Sequence, residues 1–115
     1  MESILDSTKK VLGLDSSYTA FDVDVTMHIN SVFATLQQLG VGPAEGFAIA
    51  DKDTKWAAYL GGDLNLNQVK SYIYLRVRLL FDPPATSYAQ EAMARQIKEI
   101  EWRLSVYRDG VESNG

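Results

Sequence analysis

The sequence predicts a mainly α fold, a small single-domain bundle of about four to five helices with an irregular loop between the second and the central helix. Three observations carry this. Apolar residues recur at helical spacing in several separate stretches, Gly and Pro punctuate the ends of those stretches, and 115 residues is about the size of one domain. Hydrophobic residues make up 46% of the chain and charged residues 23%, enough apolar material for one core.

In "SILDSTKKVLGLD", Ile4, Leu5, Val11 and Leu12 share one side at helical spacing. Ser3 and Asp6 fit a capping box at the start, and Gly13 supplies a stop. A second capping box is read in "TAFD", with Thr19 as cap. Asp22 and Asp24 put negative charge at the positive end of that helix. Behind them Val25, Ile29, Val32, Phe33 and Leu36 recur at i, i+4, i+7, i+8 and i+11, and "LGVGP" closes the pattern. Pro43 forbids continuation.

Residues 43–63 are less regular. "GFAIA" reads as a possible short strand, "DKDT" as a turn, and "TKWAAYLG" as a turn or two of helix capped by Thr54. From Leu64 to Phe81 the chain is apolar nearly all round, which suits a helix surrounded by other elements. A buried strand in "SYIYLRVRLLF" is the alternative, and the length of the pattern favours helix. Asp82, Pro83 and Pro84 then form a hard corner, because proline removes a backbone donor and pushes its predecessor out of helical geometry.

After the corner, Thr86 or Ser87 caps a last helix. Met93, Ile97, Ile100, Leu104 and Tyr107 form its seam, at alternating steps of four and three. Glu91, Arg95, Glu99 and Arg103 mark a wet face, and Trp102 lies off the seam. The domain is expected to span 1–107, with 108–115 ("RDGVESNG") as a flexible polar tail.

The search for chemistry is mostly negative. No cysteine is present, so thiol catalysis and cysteine-ligated metal sites are excluded. His28 is the single histidine and reads as structural. Asp22 and Asp24 read as dipole compensation, not as an acid–base pair. "DKDTK" lacks the glycine and terminal glutamate of a calcium loop, and "GVGPAEG" and "LGGD" match no phosphate cradle. Arg76 and Arg78 point about 200° apart around a helix, so "YLRVR" makes two separate contacts, not a basic patch. No catalytic residue, cofactor or metal ligand is assigned, and the chain is expected not to be an enzyme.

A net charge of −4 argues against a tight grip on nucleic acid. "MESILDSTKK" lacks the order of a secretory signal, and no apolar run approaches the roughly 20 residues of a membrane span. The expectation is a soluble chain made in a reducing cytoplasm. Its surplus is aromatic, with two Trp and six Tyr. Core filling explains Tyr72, Tyr74 and Phe33. Trp56, Tyr59 and Trp102, in a loop or off a seam, point instead to an interaction module.

"YTAFDVDVTMHINSVFATLQQLGVGP" at 18–43 and "VKSYIYLRVRLLFDPP" at 69–84 resemble the head-tail connector proteins of tailed bacteriophages and prophages, also called head-completion or neck adaptor proteins. The similarity extends over almost the whole chain, including the helix carrying "EIEWRL". The resemblance implies a virion protein, made in the host bacterial cytoplasm, that forms a closed homo-oligomeric ring under the portal protein (a dodecamer on the resemblance alone). Such a ring extends the DNA channel and docks the next neck, stopper or tail protein. DNA would pass through its lumen without specific binding, which an acidic wall favours. The C-terminal region of such proteins commonly engages the portal.

On this reading the interface candidates are Trp56, Tyr59, Trp102, Tyr107 and Arg108, and the Asp82-Pro83-Pro84 corner aims the last helix. The competing reading is a small helix-turn-helix DNA-binding regulator. It needs clustered basic or amide side chains at the start of a recognition helix. "TSYAQEAMARQ" does not provide them. A small hydrolase or metal enzyme has almost no residue support.

Overall fold

A computed structural model describes residues 3–61 and 67–114, with side chains up to Arg108. The described chain forms α1 (Ile4–Val11), α2 (Asp22–Gln38), α3 (Trp56–Leu60), α4 (Gln68–Phe81) and α5 (Ser87–Asn114). The helices α2 and α4 make the central pair, α5 lies on α4, and α1 packs on both α2 and α4. The expected helical bundle is therefore the one found.

Local chemistry accounts for the ends of α1. Ser3 Oγ accepts the Asp6 amide at 3.2 Å. At the far end the Gly13 and Leu14 amides donate to the carbonyls of Lys10 and Lys9, satisfying groups that a helix end leaves unpaired. The start of α2 differs from expectation. Phe21, not Thr19, occupies the cap position, with no side-chain cap bond. Asp22, the residue a Thr19 capping box would use, is committed elsewhere: it pairs with Lys9 Nζ at 2.8 Å. The buried stripe of α2 is the predicted one, Val25, Ile29, Val32, Phe33 and Leu36. Its exit is also as predicted: Gly40 takes φ 79°, and Val41 donates to Leu36 O at 2.9 Å and turns into the core.

The segment "GFAIA" is not a strand, and the reason lies in α2. Asn30 binds both backbone groups of Ile49, donating from Nδ2 to its carbonyl at 2.9 Å and accepting its amide at 2.8 Å. Further along the same helix, Gln37 Nε2 donates to Ala44 O at 3.0 Å. Two side-chain amides thus supply the partners a neighbouring strand would have supplied. The β-type pairing among the described residues is one isolated antiparallel bridge, Ser3 with Lys55, beside which Ile4 N–H donates to Thr54 O at 3.0 Å. Thr54 does not cap α3. Lys55 holds that position without a side-chain bond.

The central helix is observed from Gln68. The part of its expected start at 64–66 lies outside the described residues. It buries Val69, Tyr72, Ile73 and Val77. Beyond the proline corner, Ile97, Ile100 and Leu104 of α5 are buried as the seam required, with Met93 and Tyr107 half-buried. The backbone of α5 stays helical through Asn114, across most of the segment expected as a tail.

Candidate interaction surfaces

Trp56 and Tyr59 belong to the core. Trp56 is 0% exposed. Its indole Nε1 donates to Ser7 Oγ at 2.8 Å, its ring meets Tyr74 edge-on at 6.0 Å, and Lys70 Nζ lies 5.7 Å from the ring centre. Tyr59 stacks among Phe33 and Phe47 at centroid distances of 4.8 and 5.1 Å. Burial pushes its phenol up to about 12. Side chains enclosed in this way present nothing to a neighbour, so the interface expectation for both is corrected. Their loop-like sequence surroundings conceal that α3, which starts beside the bridge between Ser3 and Lys55, buries Trp56, Tyr59 and Leu60.

The corner is built as the prolines demand. Asp82 leaves helical geometry at φ −149°, ψ 73°, with its amide still bonded to Arg78 O at 2.9 Å. Arg78 Nε returns to Asp82 O at 2.8 Å. Across the prolines, Gln90 Nε2 donates to Pro84 O at 2.7 Å, and Thr86 Oγ1 caps α5 by accepting the Ala89 amide at 3.1 Å. Backbone groups freed by the break are therefore taken up on both sides, which fixes where α5 sets out.

Three polar contacts hold the helices to one another, and sequence reasoning singled out none of them. Lys9 is 1% exposed and sits between Asp22 and the carbonyl of Ser16, which its Nζ meets at 3.1 Å. Tyr72 donates its hydroxyl to Glu101 Oε2 at 2.6 Å, and Arg76 reaches the same oxygen at 3.3 Å, joining α4 to α5. Burial, then the bond to Glu101, pushes the Tyr72 phenol well above its ordinary range. Arg108 donates to the carbonyl of Leu39, tying α5 to the end of α2. Arg108 is thus half-buried against the protein, as Tyr107 is.

Among the described residues, exposed apolar side chains gather in two groups, apart from Val11 on α1 and Leu80 on α4. On α5, Trp102 is 67% exposed, and Tyr88 and Val106 share its outward line at helical spacing. Nearby, Arg103 pairs with Glu99 at 2.6 Å, while Arg95 and Lys98 have no ion-pair partner among the described residues. On α2, Val23 is 72% and Met27 65% exposed. They form one wall of an open cleft that also takes in Leu5, Ala50, Asp51 and Lys52. Beside it, Phe21 meets Phe81 edge-on at 5.3 Å, with His28 also against the ring of Phe81. Exposed apolar patches of this kind mark contact surfaces more often than isolated exposed leucines do.

Among the described residues no group of three or more His, Cys, Asp or Glu side chains converges to hold a metal, and no helix is long and apolar enough to cross a membrane. A family model described as phage connector protein matches residues 4–111. No curated protein and no solved structure matches the chain at a significant level.

Proposed function

The chain belongs to the phage connector protein family, a structural family of the head–tail junction, and from that premise we propose that it is one subunit of a ring seated under the portal. The ring extends the DNA channel and docks the next neck or tail component. The observation that carries this reading is the family match, which covers residues 4–111 of 115. Two features support it. Exposed apolar side chains form separate groups on α2 and α5 among the described residues, and a head-to-tail ring requires two such separate surfaces of each subunit. The net charge of −4 suits a channel through which DNA slides without sticking.

The portal is engaged through the C-terminal part of α5. DNA makes no sequence-specific contact. The deciding experiment is production of capsids lacking this chain, followed by electron microscopy and addition of the purified protein. Tailless or leaking heads that recover on addition support the reading, and normal tailed particles overturn it. The mass of the assembled particle, with and without portal, gives the ring size.

A further inference from the structure

The geometry points to a specific pairing between copies: the outward face of α5 around Trp102 seats in the α2 cleft walled by Val23 and Met27 of a neighbouring copy. This inference rests on the connector reading and names the surface by which the ring closes.

Two observations select a second copy as the occupant. The two exposed apolar patches lie on different helices of one chain, so a contact joining them is heterologous and repeats from subunit to subunit. Their charges also match. Within α5, Glu99 and Glu101 are taken by Arg103 and Arg76, which leaves Arg95 and Lys98 as the uncommitted charges nearest Trp102 among the described residues. Glu91, also without an ion-pair partner among the described residues, lies three turns away from Trp102 along the helix. Of the charges without an ion-pair partner among the described residues, Asp51 and Lys52 line the cleft. The exposed Asp24 and Asp53 lie next to its lining residues Val23 and Lys52 in the chain, so acids outnumber cations three to one there. Apolar side chains flanked by opposite charges give both attraction and register. The rest of the exposed α2 face, Ser31, Ala34 and Gln38, carries no charge that would repel an incoming helix.

Because the chain has no cysteine, introduced ones are unique. Ser31→Cys and Ser105→Cys, one turn from Met27 on α2 and three residues from Trp102 on α5, are near-isosteric changes that leave both apolar anchors and the core in place. The full-length double variant is added to heads made without the chain and treated with a short bismaleimide. The pairing predicts a ladder of covalent dimers, trimers and higher species ending at the ring. A mixture of the two single variants yields dimers and no further species. Arg95→Glu with Lys98→Glu removes the ladder, and Asp24→Lys with Asp51→Lys added to the same chain restores it. Three results overturn the pairing and leave the connector reading standing: binding to heads with no ladder, links between the position-105 thiols of two copies, or links from the position-31 thiol to another virion protein. Failure to bind the heads at all overturns the connector reading, and the pairing with it.

Discussion

Arg108 and Leu39 stand 69 positions apart in the chain, yet the guanidinium of the first donates to the carbonyl of the second. The site is the C-terminal end of α2, where unpaired carbonyls and the negative end of the helix dipole both favour a cation. Gly40 makes the approach possible. A Cβ on Gly40 would lie 2.5 Å from Arg108 Cδ, and its φ of 79° is itself costly for any other residue.

Gly40→Ala is therefore expected to lose about 1–2 kcal/mol from backbone strain alone, and to displace Arg108 as well. Arg108→Ala is expected to cost about 1 kcal/mol. Urea unfolding measures both. Hydrogen exchange of the α5 amides beyond Leu104 locates the effect: faster exchange there supports the tie, and unchanged exchange contradicts it.

Lys9 and Asp22 are expected to be strongly coupled. Asp22→Ala leaves a buried ammonium with one carbonyl partner and costs about 2–3 kcal/mol, toward the lower end for a broken buried pair because the carboxylate is partly exposed. Lys9→Met in that background recovers part of the loss, since it removes the stranded charge. A double-mutant cycle measures the coupling. Simple additivity would mean that the pair is not a unit.

Two tryptophans separate folding from assembly. Trp56→Ala empties a core site and costs about 3–5 kcal/mol, a large part of the roughly 5–15 kcal/mol that holds a typical domain folded. Trp102→Ala changes monomer stability by less than about 0.5 kcal/mol, as surface changes usually do, while assembly on heads is lost. Thermal melts followed by circular dichroism give the first quantity and sedimentation of head-bound protein the second. Equal melting of the two variants would place Trp102 in the core.

Alkaline pH is expected to unfold the protein through its buried phenols. Tyr59 titrates near 12 in the folded chain and near 10 when unfolded. The native state therefore holds a proton that the unfolded chain has released between those values. Its contribution is complete below pH 10 and is lost as pH rises through 12. Tyr72 shifts in the same direction and adds to the effect. Tyr59→Phe is expected to flatten the decline and to be neutral or slightly stabilising near neutral pH, because the hydroxyl is buried with no hydrogen-bond partner. Urea midpoints from about pH 8 to about pH 12 test this, and an unchanged slope in the variant would refute the assignment.

Periodicity makes the helices legible, since Val25, Ile29, Val32, Phe33 and Leu36 carry their burial in their spacing. Caps are legible at Ser3 and Thr86, where the partner lies three residues away, whereas the same spacing at Thr19 misleads because Asp22 pairs with the distant Lys9. What spacing cannot reveal is a partner far along the chain. Nothing local distinguishes Lys9, which is buried, from Lys10, which is exposed. Asn30 and Gln37 look like ordinary polar positions of an amphipathic helix until the loop at 44–49 closes over them. Trp56 misleads for the same reason, because its surroundings in sequence resemble a loop and its surroundings in space are a core. Of the tryptophan and tyrosine candidates, Trp102 is the exposed one, and its position off the seam is the readable signal.

The length of α5 has a consequence for what changes the chain can absorb. At about 1.5 Å per residue its 28 residues span about 42 Å, close to the 44 Å long axis of the whole molecule. A rod of that length behaves like a shaft keyed at both ends, by Thr86 and Gln90 at the corner and by Arg108 at Leu39. One residue inserted between Ser87 and Trp102 would turn everything beyond it by about 100°. Trp102 would swing away from its outward line, and Arg108 would miss its carbonyl. Substitutions along this helix can be absorbed singly, but its residue count is a phase, and related chains should keep that count even where they change nearly every side chain.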